Sequence, residues 1–239
     1  MAAEAEMDNF ELNALGQPLG LPVPGWQGAP LPQKITLNGR YCRVEALDAA
    51  RHGEALYAAL AGDAAGWTYL GGRPDSLKDF MAKMRADESS TDPLFFAIVD
   101  DSGQAQGILS YLRIDAPNGV IEMGWIHFSP RLQRSRVASE ALFLLMQHAF
   151  ALGYRRCEWK CDALNVPSRE AALRLGFSYE GTFRQARVRP DGRNRDTAWF
   201  SLLDGEWPAV QQAFNDYLLP ENFDAKGRQR RALAARRMS

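Results

Sequence analysis

Several residues in the middle of this chain are spaced for chemistry. Residues 130–141, PRLQRSRVASEA, follow a strand pattern that ends near Phe128 and lead into a long run of apolar residues at helical spacing. A helix that begins just past a strand end has main-chain N–H groups without partners, and its dipole adds a favourable field. Residues 134–139 are therefore laid out to receive an anion. Further on, Asn165 and Ser168 stand three apart, with Pro167 between them, where the strand RRCEWKC turns into a short helix. That spacing caps a helix, with Pro167 in its first turn. Glu122 sits two residues before Gly124 on the strand that feeds the first loop. As a strand carboxylate it is an exposed acid, an ion-pair partner or a proton acceptor. Strand alternation turns it away from Met123 and Trp125. His127, on the same strand, is either a packed histidine or a second proton acceptor.

Other chemistries find less support. Cys42, Cys157 and Cys161 form no C-x-x-C pair, and Cys157 and Cys161 alternate with Trp159 on one side of a strand, as packed residues do. His52, His127 and His148 lack ligand spacing, so no metal is expected. With 239 residues, 46% of them hydrophobic, the chain can bury a sizeable core. Its net charge of -1 gives no general attraction to membranes or nucleic acid. No apolar run approaches the roughly 20 residues of a membrane span, and the acidic start MAAEAEMDNFELNALG lacks the features of a signal peptide. A cytoplasmic protein is expected.

The elements that must position these residues are legible in outline. Residues 1–33 are rich in Pro and Gly and should form an extended arm, pinned by Phe10 and Trp26. Asn38-Gly39 signals a hairpin between KITL and RYCRVEAL. Asp48 caps a helix through about Leu60, carrying Leu56, Tyr57 and Leu60 inward. The stretch GDAAGWTYLGGRPD reads as a loop. Ser76 caps a second helix with Leu77, Phe80, Met81 and Met84 at helical spacing. LFFAIVD, QAQGILSYLRI and VIEMGWIHF form a meander. The helix over residues 135–151 turns Val137, Ala141, Leu144, Leu145, His148 and Leu152 to one face, and Gly153 ends it. Strand RRCEWKC, a short helix over residues 167–175, and strands FSYEGTFRQARVR and RDTAWFSLL, joined at Pro190-Asp191-Gly192, complete a mixed sheet. A main domain over residues 34–218 is followed by a tail, 219–239, with Lys226, Arg228, Arg230, Arg231, Arg236 and Arg237. Such a tail is solvated, makes a subunit contact or touches nucleic acid.

Residues 130–141 resemble the pyrophosphate loop, Q/R-x-x-G-x-G/A, of the GCN5-related N-acetyltransferase (GNAT) superfamily. Gln133 takes the first position, Arg136 stands where a glycine is usual and Ala138 is the last small residue. Residues 162–181, DALNVPSREAALRLGFSYEG, look like the RimJ/RimL-type branch, and the similarity covers roughly residues 35–215, including RNRDTAWFSLLDGEW. The resemblance implies an α/β (α+β) fold. Its sheet would be twisted and mostly antiparallel, splayed between the fourth and fifth strands and flanked by helices, with acetyl-CoA in the gap. It implies that Gln133 helps bind the cofactor and that the main-chain N–H groups of Arg134, Ser135, Arg136, Val137, Ala138 and Ser139 cradle the diphosphate. An amide near Ile126, His127 and Phe128 would hold the oxyanion. Asn165 would bind the pantetheine arm, and Ser168 would contact the cofactor and assist the leaving thiolate. Arg136 has a Cβ that crowds the cradle and a charge that can reach a phosphate.

An amine must be neutral to attack a thioester, so a proton acceptor is needed. On the resemblance that role falls to Glu122, with His127 the alternate. Trp67, Tyr69, Arg73, Arg184 and Arg193 are candidates to line the acceptor mouth. The implied activity is acetyl transfer from acetyl-CoA, by direct attack in a ternary complex, to a primary amine of a small molecule such as an amino acid, amine toxin or antibiotic. A protein N-terminal amine, as on a ribosomal protein, is the alternative. A non-catalytic acyl-CoA-binding module, an RNA-holding tail and a homodimer stay open.

Overall fold

The run LFFAIV has no polar residue, and all six of its side chains are buried, as suits a strand covered on both faces. The computed structural model describes residues 10–233 and 235. A small hairpin of β1 (Phe10–Leu12) and β2 (Pro18–Gly20) precedes the main body. There follow β3 (Leu37–Asn38), β4 (Arg43–Ala46), α1 (Ala49–Leu60), α2 (Ala64–Trp67), α3 (Leu77–Ser89), β5 (Leu94–Val99), β6 (Ala105–Asp115) and β7 (Val120–Phe128). The rest comprises α4 (Arg136–Ala151), β8 (Arg156–Asp162), α5 (Val166–Arg174), β9 (Ser178–Val188), β10 (Asn194–Leu203) and α6 (Trp207–Tyr217). Eight strands form one sheet in the order β3-β4-β5-β6-β7-β8-β10-β9. Leu94, Phe96 and Ile98 belong to a larger core beneath α4 and α6, while Phe95, Ala97 and Val99 belong to a smaller one beneath α1 and α3.

Every neighbouring pair in this sheet is antiparallel except β7 with β8, which run parallel and are joined through α4. That pair holds over only four positions, from Val120 opposite Arg156 to Met123 opposite Trp159. Beyond Met123 the two strands part, and the sheet splays between β7 and β8. The register of β7 against β6 also slips between Ile108 and Ser110, where Trp125 adopts φ +48°. Such a bulge bends a strand and re-aims its side chains.

The bulge corrects one expectation. Met123 packs in the larger core, but Trp125 lies beside Phe95 of the smaller one, with ring centroids 6.4 Å apart. Trp125 therefore shares the face of Glu122, because the extra residue breaks the alternation. The Asn38-Gly39 hairpin also forms differently. Leu37 and Asn38 pair with Val44 and Arg43, so residues 39–42 make a four-residue loop. Helix α4 is buried on two sides instead of one, since Phe143 stacks on Trp207 and Phe214 away from the sheet. Residues 64–67, read as loop, form the single turn α2, capped by Asp63, which accepts from the Gly66 N–H.

Trp26 anchors the arm. Its indole N–H donates to Pro117 O at 2.8 Å, and the ring lies against Gly119, where a Cβ would come within 2.5 Å. Phe10 is 40% exposed and does not serve as an anchor. After residue 218 the apolar side chains return to the core: Phe223, Leu233 and Ala235 are buried in the larger cluster, while Arg228, Arg230 and Arg231 stay exposed. Arg236 and Arg237 lie outside the described residues.

Candidate active site

The start of α4 is built by local rules. Ser135 is extended, with φ -95° and ψ 164°, and its Oγ accepts from the Ala138 N–H at 3.0 Å. The Ser139 N–H donates to Ser135 O, and the Ser135 N–H to Leu132 O. Gln133 N–H donates to Ser129 O. Arg134 holds φ +56°. Among the described residues no acceptor meets the N–H groups of Arg134, Arg136 and Val137. Of the donors expected over residues 134–139, three stay free, because the cap and the preceding turn engage Ser135, Ala138 and Ser139.

Two contacts hold this loop from behind. The Glu140 carboxylate accepts from three successive N–H groups of the β3–β4 loop: Arg40 at 2.8 Å, Tyr41 at 2.6 Å and Cys42 at 2.9 Å. That clasp sets the Tyr41 ring 4.3 Å from the Arg136 guanidinium, which also lies 5.4 Å from the Phe223 ring. Arg136 is therefore laid back on aromatic faces, a cation–π arrangement. The Gln133 side chain donates to Phe128 O at 3.0 Å and to Asp63 Oδ2 at 3.3 Å.

At the far side of the splay, Asn165 Oδ1 accepts from the Ser168 N–H and caps α5. Ser168 Oγ accepts from Trp159 Nε1 at 3.0 Å, so its own hydroxyl hydrogen is left to point elsewhere. Tyr69 O–H donates to Leu164 O at 3.1 Å, and Arg189 bonds to Thr68 O and approaches Asp162 Oδ2 at 3.4 Å. These contacts draw the loop after α2, the β9–β10 hairpin and the β8–α5 turn to one place.

Glu122 is buried in a line of alternating charges crossing the sheet. Its Oε2 meets Lys160 Nζ at 2.9 Å and Arg113 Nε at 3.4 Å; Lys160 also meets Glu158 at 2.8 Å. Glu158 in turn meets Arg156, which holds Glu180. Lys160 lies 3.5 Å from the centroid of the Trp199 ring. Burial pushes the Glu122 carboxyl above the ordinary carboxylate range, outweighing Lys160 and Arg113.

His127 faces the same side, for its partner Ile108 packs in the smaller core. It is 5% exposed, and neither ring nitrogen has a hydrogen-bond partner among the described residues. Asp63 Oδ2 stands 3.8 Å from Nε2, and the Trp67 ring meets the imidazole edge-on at 4.4 Å. Burial holds His127 below the usual imidazole range, against the pull of Asp63.

Some mouth candidates are placed otherwise. Trp67 is buried and donates its indole N–H to Leu60 O, so it is a packing residue and not a lining one. Arg73 bonds to Ala61 O within its own loop. Arg184 and Arg193 are exposed on the β9–β10 hairpin. Sequence reasoning missed Asp63, Glu140, Lys160 and Arg189. Asp63 alone carried a local signal, an acidic N-cap before Ala64 and Ala65. Among the described residues no group of three or more His, Cys, Asp or Glu is placed to hold a metal ion. No helix among them is long and apolar enough to cross a membrane.

Known proteins share this fold. Residues 44–178 match the acetyltransferase (GNAT) domain family. A GCN5-related N-acetyltransferase from Brucella melitensis is 47% identical, with a TM-score of 0.85 over 88% of this chain and 97% of that one. A probable GNAT-family acetyltransferase from Chromobacterium violaceum ATCC 12472 is 42% identical, with a TM-score of 0.75 over 80% and 98%. The ribosomal-protein-serine acetyltransferase of Escherichia coli (strain K12) is 32% identical over 102 residues, 42% of this chain and 56% of that protein. The chain thus matches a little over half the length of that curated relative, in agreement with the RimJ/RimL-type resemblance. A family domain covering most of the sheet, and relatives that superpose along nearly their whole length, lead to one assignment: the chain belongs to the GNAT acetyltransferase family.

Proposed function

We propose that this chain transfers the acetyl group of acetyl-CoA to a primary amine by direct attack in a ternary complex. The family draws its acetyl group from acetyl-CoA. Three unpaired N–H groups at the start of a sixteen-residue helix, beside the gap between β7 and β8, carry the reading. Arg134, Arg136 and Val137 would hold the diphosphate through their main chain. Asn165, whose Oδ1 is engaged with Ser168, keeps its amide nitrogen for a carbonyl of the pantetheine arm. A main-chain N–H among Ile126, His127 and Phe128, on the part of β7 that has left β8, would receive the oxyanion.

Ser168 would donate its hydroxyl hydrogen to sulfur as negative charge builds there. Glu122, raised by burial, would take the proton that converts the incoming ammonium to an amine. Tyr69 and the exposed Arg184 would contribute to the acceptor mouth, and the acceptor proposed is a small-molecule primary amine. The match to a ribosomal-protein-serine acetyltransferase favours a second reading, a protein N-terminal amine.

Arg136→Pro tests the anion site. Proline suits the first position of a helix, and the extended Ser135 before it needs no adjustment. The change deletes one free N–H together with the guanidinium, and Arg136→Ala deletes the guanidinium alone. Calorimetry should show acetyl-CoA binding about 10-fold weaker in Arg136→Pro than in Arg136→Ala, as for one charge-assisted hydrogen bond of about 1.4 kcal/mol. Equal affinities would refute the cradle. Thiol release with small amines against a peptide beginning with serine then separates the two acceptors.

A further inference from the structure

Acetyl transfer from acetyl-CoA to an ammonium takes two protons off nitrogen at different moments, and Glu122 accounts for one of them. The nitrogen loses two protons overall, one before attack and one after the N–C bond has formed, while sulfur needs one back. In the reading above, on which this inference rests, Glu122 takes the first and Ser168 only hydrogen-bonds to sulfur. The second leaves nitrogen before sulfur carries the charge to receive it, and that reading names no group that takes it from nitrogen.

We propose that His127, oriented by Asp63, accepts the proton lost from nitrogen after attack. The nitrogen lone pair forms the bond to the thioester carbon, and the carbonyl π pair moves to oxygen. The positively charged nitrogen passes its proton to an imidazole nitrogen. The carbonyl re-forms, the C–S bond breaks with its electron pair on sulfur, and the thiolate takes a proton from water on release. Glu122 and His127 then return their protons to solvent, so the net change is ammonium plus thioester to amide, thiol and one proton.

Four features of the niche support this role. The imidazole is buried, and among the described residues neither nitrogen makes a hydrogen bond, Asp63 Oδ2 standing 3.8 Å from Nε2. Packing alone does not explain it, because a buried polar atom without a partner costs about 1–3 kcal/mol. Asp63, the charged group that its surroundings bring to it, is itself fixed by the Gly66 N–H at 3.1 Å and the Gln133 amide at 3.3 Å. Gly66 makes room for both groups: a Cβ there would lie 2.7 Å from His127 Nε2 and would clash with the Asp63 carboxylate. Asp63 Oδ2, 3.8 Å from Nε2, steadies the charged form of the ring, and Nδ1 is the atom proposed to accept. Finally, His127 lies on the stretch of β7 released from β8 and on the same sheet face as Glu122. From β6 the residue opposite is the apolar Ile108, from α2 the contact is Trp67, and among the described residues Asp63 is the charged group that acts on the ring.

The test uses the full chain, acetyl-CoA, and two amines, phenethylamine and a peptide beginning with serine. His127→Gln should lower kcat about 100-fold and leave acetyl-CoA affinity within about 2-fold by calorimetry. Two bases that must both be unprotonated give the acid limb of log kcat/KM a slope of two, and His127→Gln should reduce it to one. Added imidazole should partly restore His127→Ala and leave His127→Gln unchanged. Asp63→Asn should lower kcat less than His127→Gln does and shift the acid limb to lower pH. A His127→Gln enzyme with kcat within about 3-fold of the parent, or an unchanged acid limb, overturns the proposal. Should neither amine be turned over, histidine-labelled protein decides by NMR: acetyl-CoA should move the imidazole nitrogen signals of His127 and spare those of His148, and an unmoved His127 overturns it. A parent protein without affinity for acetyl-CoA would instead overturn the underlying reading.

Discussion

Glu140→Gln should unfasten the loop behind the proposed anion site. The parent carboxylate accepts three main-chain N–H groups, one on Oε1 and two on Oε2, and it is 4% exposed. Hydrogen bonds to a charged acceptor contribute about 1.5–3 kcal/mol each. Glutamine keeps one oxygen for Tyr41 and Cys42, with those bonds roughly halved in strength. Its NH2 group then faces the Arg40 N–H, donor against donor, so that bond is lost outright. The sum is a destabilisation of about 3–6 kcal/mol. Urea unfolding followed by tryptophan fluorescence should show the midpoint falling with an unchanged slope. The loop also carries Tyr41 beneath Arg136. Combining Glu140→Gln with Arg136→Met should therefore give less than the sum of the single effects, by about 0.5–1 kcal/mol. Gly39→Ala should act in the same direction, because its Cβ would run into the Glu140 carboxylate and Leu144. A Glu140→Gln protein within about 0.5 kcal/mol of the parent would show that the carboxylate does not hold the loop.

Lys160→Ala leaves Glu122 and Glu158 sharing a buried site, with Arg113 and Arg156 as the remaining cations. It should destabilise by about 3–5 kcal/mol, and adding Glu122→Gln should recover part of the loss; no recovery in urea titrations would refute the charge line as drawn. Ser168→Ala should keep acetyl-CoA affinity within about 3-fold while lowering kcat at least about 10-fold; equal losses in both would make Ser168 a binding residue only. His127 and His148 are both held below the usual imidazole range by burial. With folded values below the unfolded one, the unfolded chain takes up protons first. Their contribution to stability is therefore complete above about pH 6.5 and is lost as pH falls through that value towards the folded ones. Urea midpoints should fall from about pH 7.5 to about pH 5, and His148→Gln should flatten part of that slope; a midpoint that rises on acidification would contradict it.

The features legible in the sequence are those decided within one turn of chain. Asp48, Ser76, Ser135 and Asn165 each accept from an N–H three residues on, so the short polar side chain at a helix start announces the cap without reference to the rest of the fold. The order of strands in the meander was equally plain, because alternating and fully apolar runs are separated by Gly-bearing turns. What could not be read depends on partners far along the chain or on a break in local rules. Glu140 looks like any exposed helical acid until the fold brings residues 40–42 to it from about a hundred positions away. Lys160 becomes the hub of a buried charge line only because β7 and β8 run parallel there. Trp125 is a bulky residue at positive φ, which neither propensity nor alternation anticipates. Yet that bulge brings Trp125 to the face that carries Glu122 and His127, at the point where β7 leaves β8. The same local failure that defeats a strand pattern thus falls where β7 parts from β8, beside the main chain that would meet a ligand. Restoring regular alternation, by deleting one residue at the bulge, would close the gap and remove the surface on which the whole proposed reaction depends.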